Sequence, residues 1–291
     1  MDIDIINEIN NGDLLYYENL KTYVYHMCAN KLYIDQYNHN ENSKLFKNEK
    51  TYYWIFDAPG ESALGHWIYE SFIFVHILIG LNKQIKNIKI LTRNNCKYVK
   101  NILNFFNIEN EIVNEINNYN NVCFFPKVYS LNTTPTQIEC DEYYNKHLNL
   151  YIQYIQSNLQ IVKKIKSLFL PRNDTDNYKE NDRIINNTDN IKKIVIQNGG
   201  MVLDTYRLNN INYQFTIVNN ADIIILDYGS SFHFNCIFLK NKKIYVLDDK
   251  NLYTEQMAYE SLRLLNKKIA DNNDVKIITT HNLSLIEDIT K

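Results

Sequence analysis

The chain is poor in the residues that mark the commonest compact motifs. Glycine occurs 7 times and proline 4 times in 291 residues. No G-x-G-x-x-G fingerprint and no P-loop lysine are present, so neither Rossmann-type dinucleotide binding nor P-loop ATP binding is indicated. The same lack of a Gly-rich phosphate loop disfavours a kinase. The five cysteines, at 28, 96, 123, 140 and 236, form no C-x-x-C pair. Their odd number and their spacing argue against a disulfide framework or a zinc ribbon and for reduced thiols. The G-x-S-x-G elbow of the α/β hydrolases is also missing, because Gly229-Ser230-Ser231 lacks the second glycine.

Charge of one sign and long apolar runs are scarce as well. The net charge is −2, with 22% charged residues, so no global basic field favours nucleic acid. No run reaches the ~18–20 consecutive apolar residues of a membrane span. The closest, 72–81, is short and interrupted by His76. The opening MDIDIINEIN is acidic and lacks the basic-then-apolar layout of a signal peptide. The expectation is a cytoplasmic protein without a transmembrane span (in a host's cytoplasm if the chain is viral).

What is abundant is Asn, Ile, Lys and Tyr. That skew is what AT-rich codons produce, so the many asparagines carry little chemistry of their own. The apolar fraction, 45%, supports packed interiors, and 291 residues suit two domains.

Residues 1–50 read as an irregular start. A strand over 53–59 stops at Pro59-Gly60, and a helix follows over 62–81, with Ser62 as its N-cap. Strands at 85–93 and 121–129 flank an amphipathic helix at 95–108. This β-α-β-α-β alternation predicts a mainly parallel sheet covered by helices. A long amphipathic helix over 140–165 bridges to a second half, where the alternation restarts. Strands are expected at 167–172, 222–229, 242–249 and 275–281, and helices at 209–221, 230–239 and 254–270. Residues 187–199 start as a helix or turn and end as a strand. The predicted class is α/β, with an N-terminal domain over 1–150 and a C-terminal one over 151–291. Ligands of open α/β sheets bind beyond the carboxyl ends of the strands, so the chemistry belongs on strand-to-helix turns.

Three such turns stand out. In DAPGESALGHWIYES, His66 and Glu70 stand at i and i+4, on one helical face. Either His66 is a partly buried helix residue with a local carboxylate, or Glu70 holds the imidazole's tautomer or acts as a base. In FLPRNDTDNYKENDRIINN, Arg172 and Arg183 flank a polar loop after a strand. Arginine's planar fork suits phosphate, although most surface arginines are simply solvated. In DIIILDYGSSFHFNCIFL, a buried strand ends at Asp227 and passes through Gly229 into a helix via Ser230 and Ser231. Small residues there let amides approach a ligand, and a helix N-terminus favours an anion. A tight structural turn is the alternative.

The order of these segments resembles glycosyltransferase family 61, often labelled capsular polysaccharide biosynthesis proteins. Leu64-Gly65-His66-Trp67-Ile68-Tyr69-Glu70 is similar to that family's N-Y-x-H-W-[LI]-x-[DE]. Pro171-Arg172 and Arg183-Ile184-Ile185-Asn186-Asn187 resemble its strand-then-Arg and R-[RK]-x-[LI]-x-N-E elements. Gln214 stands seven residues before Ala221, as in the family, and Tyr228-Gly229-Ser230-Ser231-Phe232 with Asn235 and Phe238 resembles its H-G-[AS]-x-L-x-N-x-x-F turn. The likeness spans roughly 52–250. There are departures. Ser71-Phe72 stands where the family has Pro-Arg, Asn187 where it has Glu, and Tyr228 where it has His. Asn235 and Phe238 fall one residue late.

The resemblance implies a GT-B-like pair of Rossmann-like, parallel-sheet domains facing a cleft. It implies inverting transfer of a sugar from a UDP- or GDP-linked donor to a glycan or protein hydroxyl, without an essential metal or other cofactor. Arg172, Arg183 and Asn186 would then hold the diphosphate with Gly229, Ser230 and Ser231, and His233 would touch base, ribose or phosphate. Glu70 or His66 would deprotonate the acceptor, with Asp57 and Glu61 as alternatives. A homodimer is compatible with this reading. So is a nucleotide-sugar- or glycan-binding protein on a decayed transferase scaffold, which the substitutions at 187 and 228 favour.

Overall fold

The structure is a computed structural model. It describes residues 14–23, 27–28, 31–32, 43–45, 52–55, 67–68, 71–91, 97–113, 122–131, 141–172, 187–205, 208, 210–256 and 260–291. No helix among them is long and apolar enough to cross a membrane. The chain divides into two compact units, Met1–Tyr154 and Ile155–Lys291. Together they make a mixed α/β protein, with parallel strand pairs in both sheets and several helices.

The first unit departs from the expected irregular start. Strand β1 (Leu14–Tyr23) is ten residues long. It is followed by β2 (Met27–Cys28) and β3 (Lys31–Leu32), which pair with each other, and by β4 (Ser43–Leu45) and β5 (Tyr52–Ile55). Then come α1 (Val75–Gln84), β6 (Ile88–Leu91), α2 (Lys97–Phe105), β7 (Ile112–Val113), β8 (Val122–Leu131) and α3 (Asp141–Asn158). The main sheet runs β1-β8-β5-β6-β7, with β4 also on β8. Its strands are parallel except for β1, which runs antiparallel to β8 from Leu14 opposite Leu131 to Tyr23 opposite Val122. The sheet is therefore mixed rather than wholly parallel. The partner of β1 lies about a hundred residues away in sequence, and no local pattern in LLYYENLKTY announces it.

The helix expected over 62–81 is interrupted. Trp67 and Ile68 are helical, and the Ser71 amide donates to the Trp67 carbonyl at 3.1 Å. Ser71 itself leaves the helical region, at φ −134° and ψ −52°, and a 3₁₀ turn (Phe72–Phe74) leads into α1. Phe72, Ile73, Val75, Ile77, Leu78 and Leu81 are all buried, so this segment is covered on every side rather than along one stripe.

Two histidines sit inside this unit. The Nδ1–H of His76 donates to the Ile73 carbonyl at 2.9 Å, which leaves its Nε2 as an acceptor. The Nδ1–H of His147, on α3, fills that position at 2.9 Å, and the two rings stack with centroids 4.9 Å apart. The His76 imidazole, donating through one nitrogen and accepting through the other, is thereby fixed as neutral. Burial is the main cause of their depressed proton affinity: His76 is held down at about 3, and His147 is lowered too, further so by His76 and Lys146.

The second unit consists of β9 (Ile165–Leu170), α4 (Thr188–Gln197), β10 (Met201–Val202), α5 (Ile211–Asn219), β11 (Ala221–Asp227), α6 (Ser230–Cys236), β12 (Lys243–Leu247), α7 (Leu252–Gln256), α8 (Glu260–Asn272), β13 (Asp274–Ile278) and α9 (Leu283–Thr290). All its strands are parallel, in the order β10-β9-β11-β12-β13. Along β11, Ile225 packs with Phe169, Tyr245 and Leu247 beneath Ile191 and Val195 of α4 and Ile286 of α9. Its neighbours Ile224 and Leu226 are fully buried and, by the two-residue period of a strand, face the opposite side. Both faces of the sheet are thus covered, as the near-continuous apolar run of β11 requires. Phe215 of α5 meets Phe234 of α6 and Phe238, just beyond that helix, at 4.9 and 4.7 Å.

Helix α4 ends in a Schellman motif. The Gly199 amide donates to the Ile196 carbonyl, and the Gly200 amide to that of Val195. Gly199 takes φ +77°, the left-handed conformation this stop needs. Gly200 is required for a different reason. A Cβ there would lie 2.3 Å from Ser167 Oγ, 2.7 Å from Val195 Cγ1 and 2.9 Å from the Ser167 carbonyl oxygen. Gly200→Ala is expected to destabilise the second unit by about 1–3 kcal/mol through overpacking. An unchanged urea midpoint would contradict so close a seat of helix on strand.

Candidate functional site

The strand order of the second unit, taken in sequence, is 2-1-3-4-5. From β9 the chain moves first to one neighbour, β10, and then crosses to the other, β11. In open parallel sheets this reversal leaves a crevice beyond the carboxyl ends of the two central strands, where ligands bind. Here those ends are Leu170, followed by Pro171 and Arg172, and Asp227, followed by Tyr228 and Gly229. Leu170 and Leu226 are register partners. The sheet therefore brings together the starts of two turns that stand more than fifty residues apart in sequence.

One hydrogen bond joins them. The Arg172 amide donates to Asp227 Oδ2 at 2.7 Å. Asp227 is only 4% exposed, and its second oxygen, Oδ1, is buried without a hydrogen-bond partner. Burial pushes the Asp227 carboxyl up to about 7; the Arg172 amide and guanidinium pull it down, and Asp249 adds to the rise. Gly229 follows at φ +134° and ψ −156°, a region open in practice only to glycine.

The helix beyond, α6, has only seven residues, and no side chain caps it. Its polar residues are tied inward. Asn235 Nδ2 donates to the Ser231 carbonyl at 2.8 Å and to Ser231 Oγ at 3.0 Å. Gln214 Nε2, from α5, donates to Asn235 Oδ1 at 2.6 Å. Gln214 and Asn235, picked out in the sequence by their spacing, form a buried link between two helices. His233 is buried as well, and its Nε2–H donates to Asn266 Oδ1 on α8 at 2.7 Å. Burial lowers its pKa to about 4, opposed by that bond. Asn266 Nδ2 in turn donates to the Tyr228 hydroxyl at 3.1 Å. The Tyr228 ring packs against Phe232 at 5.8 Å and Tyr253 at 5.3 Å.

The sequence matches no family model and no curated protein.

The neighbouring carboxylates serve the backbone. Asp248, after β12, accepts from the Leu252 and Tyr253 amides at 3.0 and 2.7 Å and so caps α7. Asp249 accepts from the Thr280 amide at 2.7 Å and from the Thr280 hydroxyl. Among the described residues, no three His, Cys, Asp or Glu side chains are grouped so as to hold a metal ion.

Of the residues read from the sequence, the structure places Arg172, Gly229, Ser230 and Ser231 on the two turns at the crevice and His233 in the interior behind them. His66, Glu70, Asp57, Glu61, Arg183 and Asn186 lie outside the described residues. Asn187, next to Asn186, holds a left-handed φ of 65° before α4, and its Nδ2 donates to the Thr280 carbonyl at 3.3 Å. Asp227, Asn266 and Tyr253 belong to the site without having been singled out. For Asp227 the signal was present, since it is the one charged residue closing the apolar run IIIL.

Proposed function

We propose that the chain is an inverting glycosyltransferase of the GT-B type, similar to family 61. It would transfer a sugar from a nucleotide-diphosphate donor to a glycan or protein hydroxyl without a required metal. The observation that carries this reading is the Arg172 amide held on Asp227 at the switch point, which fixes where an arginine leaves the sheet beside the Gly229 turn.

In this reading the departing diphosphate is stabilised by fixed positive groups. Arg172 supplies one guanidinium, and the resemblance would add Arg183 and Asn186 to it. The small residues Gly229, Ser230 and Ser231 keep the opposite wall low enough for a phosphate to approach. The resemblance would give His66, Glu70 or Asp57 the proton of the attacking hydroxyl, which adds to the anomeric carbon opposite the leaving group and inverts it.

Removing the Arg172 side chain leaves its amide bond to Asp227 in place. Arg172→Ala is expected to weaken UDP or GDP binding about 10- to 100-fold, the value of a charge-assisted hydrogen bond. Titration calorimetry on both proteins measures it. Unaltered affinity would remove the phosphate role.

A second reading is favoured by Tyr228. It stands where the family has histidine, and its ring and hydroxyl are committed to Phe232, Tyr253 and Asn266. In a binding protein derived from a transferase, nucleotide-sugar would bind without turning over. Slow hydrolysis of the donor by water distinguishes the two: the enzyme releases free nucleoside diphosphate, and the binding protein does not.

A further inference from the structure

Exposed apolar side chains are ordinary where they are scattered singly. In the second unit they gather. Of the described residues, five large apolar side chains are exposed: Ile161, Val162, Ile196, Tyr213 and Ile277. Val162 and Tyr213 line one groove of about 800 Å³ at the start of β9, the end of that strand opposite the crevice. Ile161 stands next to Val162 in the chain and is 97% exposed.

The segment that carries Ile161 is anchored. Asn220 holds it on both sides: Asn220 Nδ2 donates to the Gln160 carbonyl at 3.1 Å, and its Oδ1 accepts from the Val162 amide at 3.4 Å. The Ile165 amide then donates to the Asn220 carbonyl at 2.9 Å. Ile161 is therefore the crest of a pinned turn, held out in water at a set place.

The same segment supplies charge. Lys163, Lys164 and Lys166 line the groove, and no Asp or Glu among the described residues does. Lys166 Nζ donates to the Lys291 main-chain oxygen. Lys164 pairs with Asp222 at 2.8 Å, but both side chains are exposed, and such a pair is weak enough to exchange partners. Lys163 and Lys164 are thus the cations that can turn outward beside the apolar crest.

Three kinds of partner could cover this face. A ligand seated in the groove would meet Val162 and Tyr213 and leave Ile161 in water, because Ile161 is not part of the lining. A second copy meeting it through the same patch would set lysine against lysine. A bilayer covers crest and groove rim together. Its anionic headgroups answer the lysines, its acyl margin takes the isoleucine, and its interface suits a tyrosine with an apolar ring and a polar hydroxyl.

We propose that this face of the second unit docks on an anionic membrane surface. Ile161 and Val162 enter the boundary between headgroups and acyl chains, Lys163 and Lys164 meet lipid phosphates, and Tyr213 lies at the interface. The protein then lies on the membrane without crossing it. The inference stands on the surface at the start of β9 and is independent of the nucleotide reading.

The test is sedimentation of the full chain with vesicles of phosphatidylcholine alone, or with about 30% phosphatidylserine, in about 0.1 M salt. Native protein is expected to bind the anionic vesicles about 25-fold more tightly, at about five-fold for each of two lysines, and to lose that preference in about 1 M salt. Lys163→Ala combined with Lys164→Ala is expected to abolish the preference. Ile161→Ser is expected to weaken binding to the anionic vesicles about 10-fold, through the loss of one inserted apolar side chain. The Ile161 side chain is already in water, so its replacement tests docking and not folding. Equal binding to both vesicles, or binding to neither, overturns the proposal. So does anionic binding that Ile161→Ser leaves intact, which would place the contact elsewhere. A dimer in vesicle-free solution that Ile161→Ser dissolves would assign the crest to a second copy and overturn the proposal as well.

Discussion

Lowering the pH from 7 to 5 is expected to remove about 4 kcal/mol from the first unit while leaving the second almost unchanged. In the first unit, the chain Ile73 carbonyl, His76, His147 locks His76 in a neutral tautomer, and burial keeps His147 neutral beside it. Their folded pKa values lie far below the ordinary 6.5. An unfolded chain binds a proton at each below pH 6.5 and the folded one does not. Stability is therefore complete above that pH and falls as acid is added, by roughly 2 kcal/mol per histidine at pH 5.

The second unit carries two opposing groups. His233, lowered to about 4, behaves like the other histidines and loses roughly 2 kcal/mol over the same interval. Asp227, raised to about 7, does the reverse. Its folded form takes up a proton between pH 7 and 5 that the unfolded form mostly does not, which returns about 2 kcal/mol. The chain contains its own probe for the contrast. Its 2 tryptophans, Trp54 and Trp67, both lie buried in the first unit. Urea unfolding followed by tryptophan fluorescence should show a midpoint that drops steeply from pH 7 to 5. Hydrogen exchange in β9 and β11 should barely accelerate. His147→Gln should flatten the fluorescence trend by about half. A fluorescence midpoint independent of pH would mean that the pair is not buried as a neutral unit.

The contrast between the units also bears on what the sequence could reveal. Strands β9, β11, β12 and β13 are short apolar runs bounded by polar turns, and they fall within a few residues of their expected places, whereas the strand read at the end of 187–199 is part of helix α4 and the short β10 follows it. Helix α9 was hidden in what read as a tail. Its start is marked by Asn282, whose Oδ1 accepts from the Leu285 amide at 3.1 Å, a cap visible only once the helix is known. The helix over 62–81 was drawn too simply because the residues from 72 onward are almost all apolar, and an unbroken apolar run has no period in which a break could show. Strand β1 was missed because its pairing is set by β8, across most of the first unit.

The site divides in the same way. Arg172 and Gly229 were legible because each follows a strand, and strand-to-turn junctions are where open sheets place ligands. The bond between Arg172 and Asp227 was not legible. It depends on β9 and β11 lying side by side, and chain order alone does not state the sheet order. His233 and Asn235 show the converse. His233 was read as touching the nucleotide and Asn235 as part of a family-like motif, and the structure gives both bonds between helices.

Asp227→Asn is expected to change sign in its effect on stability as the pH is varied. The native carboxyl is raised from 3.8 to about 7 mainly by burial. Ionising it in place therefore costs about 4 kcal/mol relative to the unfolded chain at pH 8, and well under ~1 kcal/mol at pH 4, where the folded form is protonated and the unfolded one is close to its own pKa. Asparagine removes that pH-dependent cost. Its carbonyl can still accept from the Arg172 amide, but its NH₂ inherits the buried position of Oδ1 and brings an unsatisfied donor worth about 1–3 kcal/mol. The difference favours the variant by roughly 2 kcal/mol at pH 8, vanishes near pH 5 and turns against it below. Denaturation of both proteins across that range, read at the strands of the second unit, measures the crossing. A constant offset at all pH values would mean that the carboxyl titrates as an exposed one.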